Sequence, residues 1–317
     1  MTFSPVEESL ALRDDITLFF RLTVPPAPGP GSGALVLITH GFGEHSARYW
    51  HVRDALLAHG FAVATYDLRG HGRSTGRRGD APAFGAFLDD LARVLEHARR
   101  HPALPEGAAG RVFLFGHSMG GLITLRFLEE NRACVDGAVV ASPWIRLAFE
   151  PAWWKRGVAR LARYICPGLR MVTGLDPTRL SHDEAFLAAM PDLHLSHHTL
   201  SVRLYDQIIR ASAEARRRAG AISPPLLLLH GQQDPVTSWR ATAALFETVP
   251  GPDKILKLYP DTLHETHNDL GREQVLADVT AWLVSHSTAS GGEGGGPLTA
   301  PAREEGPPPG GPAGIPR

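Results

Sequence analysis

Cysteine is scarce in this chain: its 317 residues hold two, Cys134 and Cys166. So few cysteines exclude a disulfide framework, and neither has metal-ligand spacing, so both are read as reduced packing residues. Charge of one sign is not in excess either. Thirty-two Lys and Arg face 33 Asp and Glu, a formal net charge of −1, so no global basic field argues for a nucleic-acid partner. No apolar run approaches the roughly 18–20 residues that span a bilayer. Residues 1–15 lack both a basic stretch and an apolar core, which predicts no signal peptide and a cytoplasmic location.

What is present suffices for a sizeable core. The chain is 43% hydrophobic and 21% charged, the balance of a soluble globular protein. Its length fits one large α/β domain with an insertion, or two ordinary domains. From residue 287 to 317, 16 of 31 residues are Gly or Pro. Such a segment buries too little surface to offset its ordering entropy and is read as a disordered tail.

Upstream, apolar strand-like runs alternate with helix-period stretches. Residues 8–13 and 16–24 read as a hairpin turning at Asp14-Asp15, followed by strands at 34–39, 61–66, 112–115, 137–141, 226–229 and 254–259. Helical stretches lie near 48–59, 84–101, 119–130, 240–247 and 272–284. The central runs are continuously apolar, as in strands covered by helices on both faces. This alternation predicts a mostly parallel sheet with right-handed crossovers. Residues 143–223 break the rhythm, being far longer than one crossover needs. Their helical patterns predict a cap inserted over the carboxyl edge of the sheet, where ligands bind in open α/β folds. The chain thus divides into a core at 1–142 and 224–286, a cap at 143–223 and a tail at 287–317.

The strongest local signal is Gly116-His-Ser118-Met-Gly-Gly121, between an apolar run and a helical stretch. A Gly-x-Ser-x-Gly in that context is a nucleophile elbow, whose glycines permit the strand-to-helix turn that exposes the serine hydroxyl. Serine at its ordinary pKa needs a base, and the base needs an orienting carboxylate. Asp234 follows the strand at 226–229, and His264 follows the strand at 254–259, in the order serine, acid, histidine that the fold bearing such an elbow takes. His267 is the rival base; His264 is preferred because His267 would enter the final helix. The tetrahedral oxyanion needs two backbone donors. Met119, next to the nucleophile, supplies one. Phe42, in the loop His40-Gly-Phe-Gly-Glu-His45, supplies the other.

Five motifs, in this order, resemble the monoacylglycerol lipase and lysophospholipase family of α/β-hydrolases, grouped with the serine aminopeptidases. They are the loop at 40–45, Tyr66-Asp-Leu-Arg-Gly-His-Gly-Arg-Ser74, the elbow at 116–121, Gly231-Gln-Gln-Asp234 and Leu263-His-Glu265. The resemblance spans about residues 8–286. It implies the α/β-hydrolase fold, the Ser118–Asp234–His264 triad, the Phe42 and Met119 donors, a helical cap and no cofactor. Leu180-Ser-His-Asp183 fits the family's cap, whereas Met190-Pro-Asp-Leu-His-Leu departs from its usual Asp-Pro-Leu order.

Other eye-catching residues take plainer readings. His40 and His45 brace their loop, as do Asp67, Arg69 and His71; Glu44 and Arg48 form a local ion pair. His194, His197 and His198 lack a cysteine or carboxylate motif, so no metal is expected. Trp144, Trp154 and Leu161 are candidate substrate-binding residues. Trp154, Val158, Leu161 and Ile165 line one face of a helix flanked by Lys155, Arg156, Arg160 and Arg163. That face either roofs the acyl pocket, the favoured reading, or gives the cap peripheral contact with a membrane. The expected activity is hydrolysis of a single-chain lipid ester, monoacylglycerol before lysophospholipid. A general carboxylesterase, an aminopeptidase, a carbon–carbon hydrolase and a binding protein are the alternatives.

Overall fold

A computed structural model of the chain describes residues 5–12, 14–130, 135–149, 165–174 and 176–288. Its strands are β1 (Val6–Ala11), β2 (Thr17–Thr23), β3 (Ala34–Thr39), β4 (Ala62–Tyr66), β5 (Arg111–His117), β6 (Gly137–Ala141), β7 (Arg170–Val172), β8 (Thr199–Ser201), β9 (Leu226–Gly231) and β10 (Lys254–Tyr259). Its helices are α1 (Trp50–Ala58), α2 (Gly85–Arg99), α3 (Met119–Glu130), α4 (Glu184–Ala188), α5 (Val202–Arg218), α6 (Trp239–Thr248) and α7 (Arg272–Thr288). Eight strands form one sheet in the order β1-β2-β4-β3-β5-β6-β9-β10. The β1–β2 and β2–β4 pairs are antiparallel and the rest are parallel.

Period-2 alternation explains the continuous apolar runs. Leu35 and Leu37 of β3 join one buried cluster with residues of α2, α3 and α5. Ala34, Val36 and Ile38 join a second with residues of α1 and α7 on the other face. Both faces are covered, so every β3 side chain is apolar or buried, and each buried Leu or Ile contributes about 1.5–3 kcal/mol. Because β3, β4, β5, β6, β9 and β10 run parallel, the loops after their carboxyl ends converge on one edge.

Several boundaries differ from the sequence reading. The first hairpin strand begins and ends two residues earlier and the second is one residue shorter at each end; the turn closes through Leu12 N–H on the Ile16 carbonyl, with Asp15 at φ +58°. The first helical stretch starts as a 3-10 turn, Ser46–Tyr49. α7 runs on through Thr288, into the segment read as tail; residues 289–317 lie outside the described residues. α5 is not part of a roof over the sheet. Its Leu204, Ile208, Ala211 and Ala215 are buried in the larger core cluster beside α3, where an ordinary crossover helix sits. The remainder of the insertion is not wholly helical, since β7 and β8 pair antiparallel within it. Trp154, Leu161 and their basic neighbours fall among residues 150–164, outside the described residues, as does Cys134. Ile165 is exposed. Cys166 is an exposed free thiol rather than a packing residue. Among the described residues, no helix is long and apolar enough to cross a membrane.

Candidate active site

Ser118 stands between β5 and α3 at φ +53°, a left-handed conformation that a non-glycine residue rarely adopts. Close packing enforces the turn. A methyl on Gly120 would lie 2.2 Å from the Thr39 carbonyl oxygen, so only glycine lets α3 start this near β3. Ser118 N–H donates to the Ala141 carbonyl at 3.0 Å, and its own carbonyl accepts from Trp144 N–H at 3.0 Å.

The structure brings Ser118, Asp234 and His264 together from three loops. His264 Nε2 lies 3.1 Å from Ser118 Oγ, and His264 Nδ1 lies 2.7 Å from Asp234 Oδ2. A carboxylate only accepts, so Nδ1 carries a proton and Nε2 offers its lone pair to the hydroxyl. Asp234 is itself held by donors. Its Oδ1 accepts the N–H groups of Val236 and Thr237, while Oδ2 accepts Thr237 Oγ–H at 2.7 Å and His230 Nε2–H at 3.0 Å. Burial alone would raise this carboxyl, but the His264 imidazole and the histidine hydrogen bonds hold it below the usual carboxylate range. For His264, burial works against the charged ring, yet the Asp234 carboxylate outweighs it and raises the imidazole above its ordinary value.

His267 occupies a different place. It lies in the 3-10 turn Thr266–Asn268, not in the final helix, and its ring stacks on Tyr49 at 5.1 Å. Burial, then the neighbouring His51 and Arg48, push it well below the histidine range. It makes no hydrogen bond to Ser118 or Asp234 among those described.

The loop after β3 approaches the serine closely. A methyl on Gly41 would sit 3.2 Å from Ser118 Cβ. His40 Nδ1–H donates to the Gly41 carbonyl and Leu68 N–H donates to His40 Nε2, so His40 braces this loop. Phe42 and Ser118 line one cavity of about 520 Å³, together with Trp144, Leu180, Leu187 and Val236. Met119 opens α3, where the first N–H groups have no intrahelical partner. Trp144 is buried, its ring 6.3 Å from that of Phe42.

Charged residues also border the cavity. Arg48 pairs with Glu44 at 3.0 Å, as its spacing implied, and with Glu265 through two 2.8 Å contacts that sequence distance hid. Asp67 accepts from Ser46 and Arg73, and Arg69 forks onto Asp90, so these residues brace loops. His194 and His198 are exposed, while the His197 ring packs 5.3 Å from Phe42 and 4.6 Å from His71. Those three histidines do not converge as metal ligands. Among the described residues, Glu8, His97 and His101 do bring ligand-type atoms together. Ala103 N–H donates to His101 Nδ1 at 3.1 Å, so the neutral ring carries its proton on Nε2 and donates it to Glu8 at 3.0 Å. That nitrogen has no lone pair left for a metal, and the trio ties β1 to the end of α2 instead.

His230, Thr237 and Glu265 are site residues that sequence reasoning passed over. His230 and Thr237 flank Asp234 at i−4 and i+3, a local spacing that could have marked them.

Comparison with known proteins places the chain. A model of the family "Serine aminopeptidase, S33" matches residues 31–271. A monoacylglycerol lipase of Mycolicibacterium smegmatis is 31% identical over 282 residues, covering 88% of this chain and 97% of that protein. An uncharacterized abhydrolase domain-containing protein of Dictyostelium discoideum is 31% identical over 252 residues; the match covers 79% of this chain but only 26% of that protein. The crystal structure of a monoacylglycerol lipase from Paleococcus ferrophilus aligns with TM-score 0.73 and 28% identity over 90% of this chain and 100% of that one. With its elbow, its parallel sheet and these matches over most of its length, the chain belongs to the serine aminopeptidase S33 family of α/β-hydrolases, alongside the monoacylglycerol lipases.

Proposed function

We propose that the protein is a serine ester hydrolase that cleaves monoacylglycerol-like single-chain lipid esters through an acyl-enzyme. The observation that carries this reading is the continuous chain of contacts from Ser118 Oγ through His264 to Asp234, opening onto a cavity whose exposed surface is largely apolar although polar residues also line it. The names of the relatives support the same substrate class.

In this reading Ser118 Oγ attacks the ester carbonyl as His264 Nε2 takes its proton, while Asp234 fixes the ring and stabilises the imidazolium. The N–H groups of Phe42 and Met119 receive the oxyanion. Collapse expels the alcohol, which takes the proton from His264. Water, deprotonated by the same nitrogen, then releases the fatty acid and restores Ser118. No step calls for a metal or cofactor. Trp144 and the insertion above the sheet enclose the acyl chain. Beside His264, among the described residues lining the cavity, the cation Arg48 is outnumbered by Glu44 and Glu265. That balance favours a neutral glycerol head group over the phosphate of a lysophospholipid.

A panel of monoacylglycerols, lysophospholipids, triacylglycerols and aminoacyl amides tests the reading. The highest kcat/KM is expected on a monoacylglycerol. Preference for aminoacyl amides, or no hydrolysis of any single-chain ester, would overturn it.

The pH profile carries a further expectation. His264 must be neutral to accept the serine proton, and its pKa in the free enzyme is raised above 6.5. Activity therefore rises with pH, and the acid limb of log kcat/KM should have its midpoint above 6.5 rather than below it. A midpoint well under that value, or a flat profile, counts against His264 as base.

A further inference from the structure

The loop that carries His264 is gripped by residues 180–183 of the insertion. The peptide N–H groups on both sides of the histidine end on partners tied to that segment. Glu265 N–H donates to the Leu180 carbonyl oxygen at 2.8 Å. Leu263 N–H donates to Asp269 Oδ2 at 2.7 Å, and Asp269 Oδ1 accepts the His182 peptide N–H at 2.8 Å. The His182 imidazole Nδ1 lies 3.2 and 3.1 Å from the two Asp269 oxygens, and Leu270 N–H donates to Oδ1 at 2.9 Å. Two more struts run alongside: Ser181 Oγ–H to the Asn268 carbonyl at 3.0 Å, and Arg272 to Asp183 at 2.7 Å. Asp269 and Ser181 are wholly buried.

A buried carboxylate that accepts three peptide N–H groups is a rigid junction, because no water is at hand to replace it. The same short segment shapes the cavity. Asp183 caps α4 through Phe186 N–H at 2.8 Å, and Leu180, Glu184 and Leu187 line the cavity wall. The wall that meets the substrate and the loop that aims the base are thus joined through one side chain.

We propose that Asp269 is a positioning residue for His264, and that residues 180–183 couple the cavity wall to placement of the base. This rests on the reading of His264 as the general base. Displacing a base by about 1 Å can cost on the order of 10²-fold in rate without altering what the pocket binds. Asn at position 269 keeps one carbonyl oxygen but turns an NH₂ toward either Leu263 N–H or His182 N–H, so it can satisfy only one side of the junction.

The experiment compares Asp269→Asn with the unaltered chain on a short soluble ester, with active sites titrated by a fluorophosphonate. The expected result is a 10- to 100-fold fall in kcat per titrated site, with KM within about twofold. The fluorophosphonate labelling rate should fall in parallel. A fold that is merely loosened would lower the number of titratable sites and leave the rate per site unchanged. Full kcat per site, or a loss confined to KM, overturns the proposal. If Asp269→Asn fails to melt cooperatively, Ser181→Ala, which removes the Asn268 strut and the oxygen that accepts Asp183 N–H at 2.9 Å while leaving the Asp269 junction in place, is judged by the same split with a smaller expected loss. His264→Ala runs beside them. If it stays active, the reading of the base fails and this inference falls with it. If it is inactive while Asp269→Asn keeps full kcat per site, the coupling alone is wrong.

Discussion

Ser118→Ala is expected to lower kcat about 10⁶-fold, the loss that follows removal of a triad nucleophile, and to leave on the order of 10³-fold catalysis over water. The residue works through its position as much as its chemistry. Its left-handed backbone and the tight start of α3 lift Oγ to 3.1 Å from His264 Nε2. Alanine keeps that backbone and removes only the hydroxyl, so the melting temperature should hold while covalent catalysis disappears. The proposed oxyanion donors and the bound orientation are untouched by the change, so a residue of activity is expected to survive. His264→Ala should cost nearly as much, because an unassisted serine hydroxyl is a weak nucleophile. His267→Ala should be milder, since its ring packs on Tyr49 away from the serine. A dead His267→Ala beside an active His264→Ala would reverse the assignment of the base. The measurement is kcat on one monoacylglycerol for all three variants.

Asp234→Asn should reduce kcat about 10⁴-fold, although it changes no more than an oxygen to an NH₂. The amide would keep an acceptor for Val236 and Thr237 while facing its NH₂ toward His264. The ring then flips tautomer, and Nε2 holds a proton where a lone pair is needed. A second consequence separates this variant from a simple loss of fit. Without the carboxylate, burial dominates the balance on His264, and the imidazole falls below its present raised value. The acid limb of the surviving activity should therefore move to lower pH. A variant that keeps full activity, or loses it with the acid limb unmoved, contradicts the role given to Asp234. Measurement of kcat/KM from about pH 5 to 9 covers the window in which histidine titrates.

Much of this site was legible in the sequence because its signals are local. Strand, elbow and helix are contiguous at 112–130, and the loops bearing Asp234 and His264 each follow a strand directly. Parallel strands then bring such loops to one edge without any further information. Less was legible where partners are far apart in sequence. Arg48 suggested Glu44, four residues away, but nothing near it pointed to Glu265, 217 residues on. Asp269 drew no notice in the sequence, because its partners, Leu263 and His182, come from two separate segments. Pattern also misled at α5. An amphipathic helix shows which face is apolar but not which surface covers it, so a core helix beside α3 was read as part of the cap. His267 was set aside for entering the final helix. It lies before that helix, and its ring is instead turned into a buried aromatic cluster.

The central claim is that an ester of a single acyl chain is cleaved through Ser118. The most direct test is to mix the protein with a monoacylglycerol, quench in acid within one turnover, and map the adduct by peptide mass spectrometry. The account predicts one acyl group, of the substrate's own mass, on the peptide containing Ser118. It also predicts none in Ser118→Ala. Turnover of the same substrate with no acyl adduct at any time, or with the adduct on another residue, would contradict it.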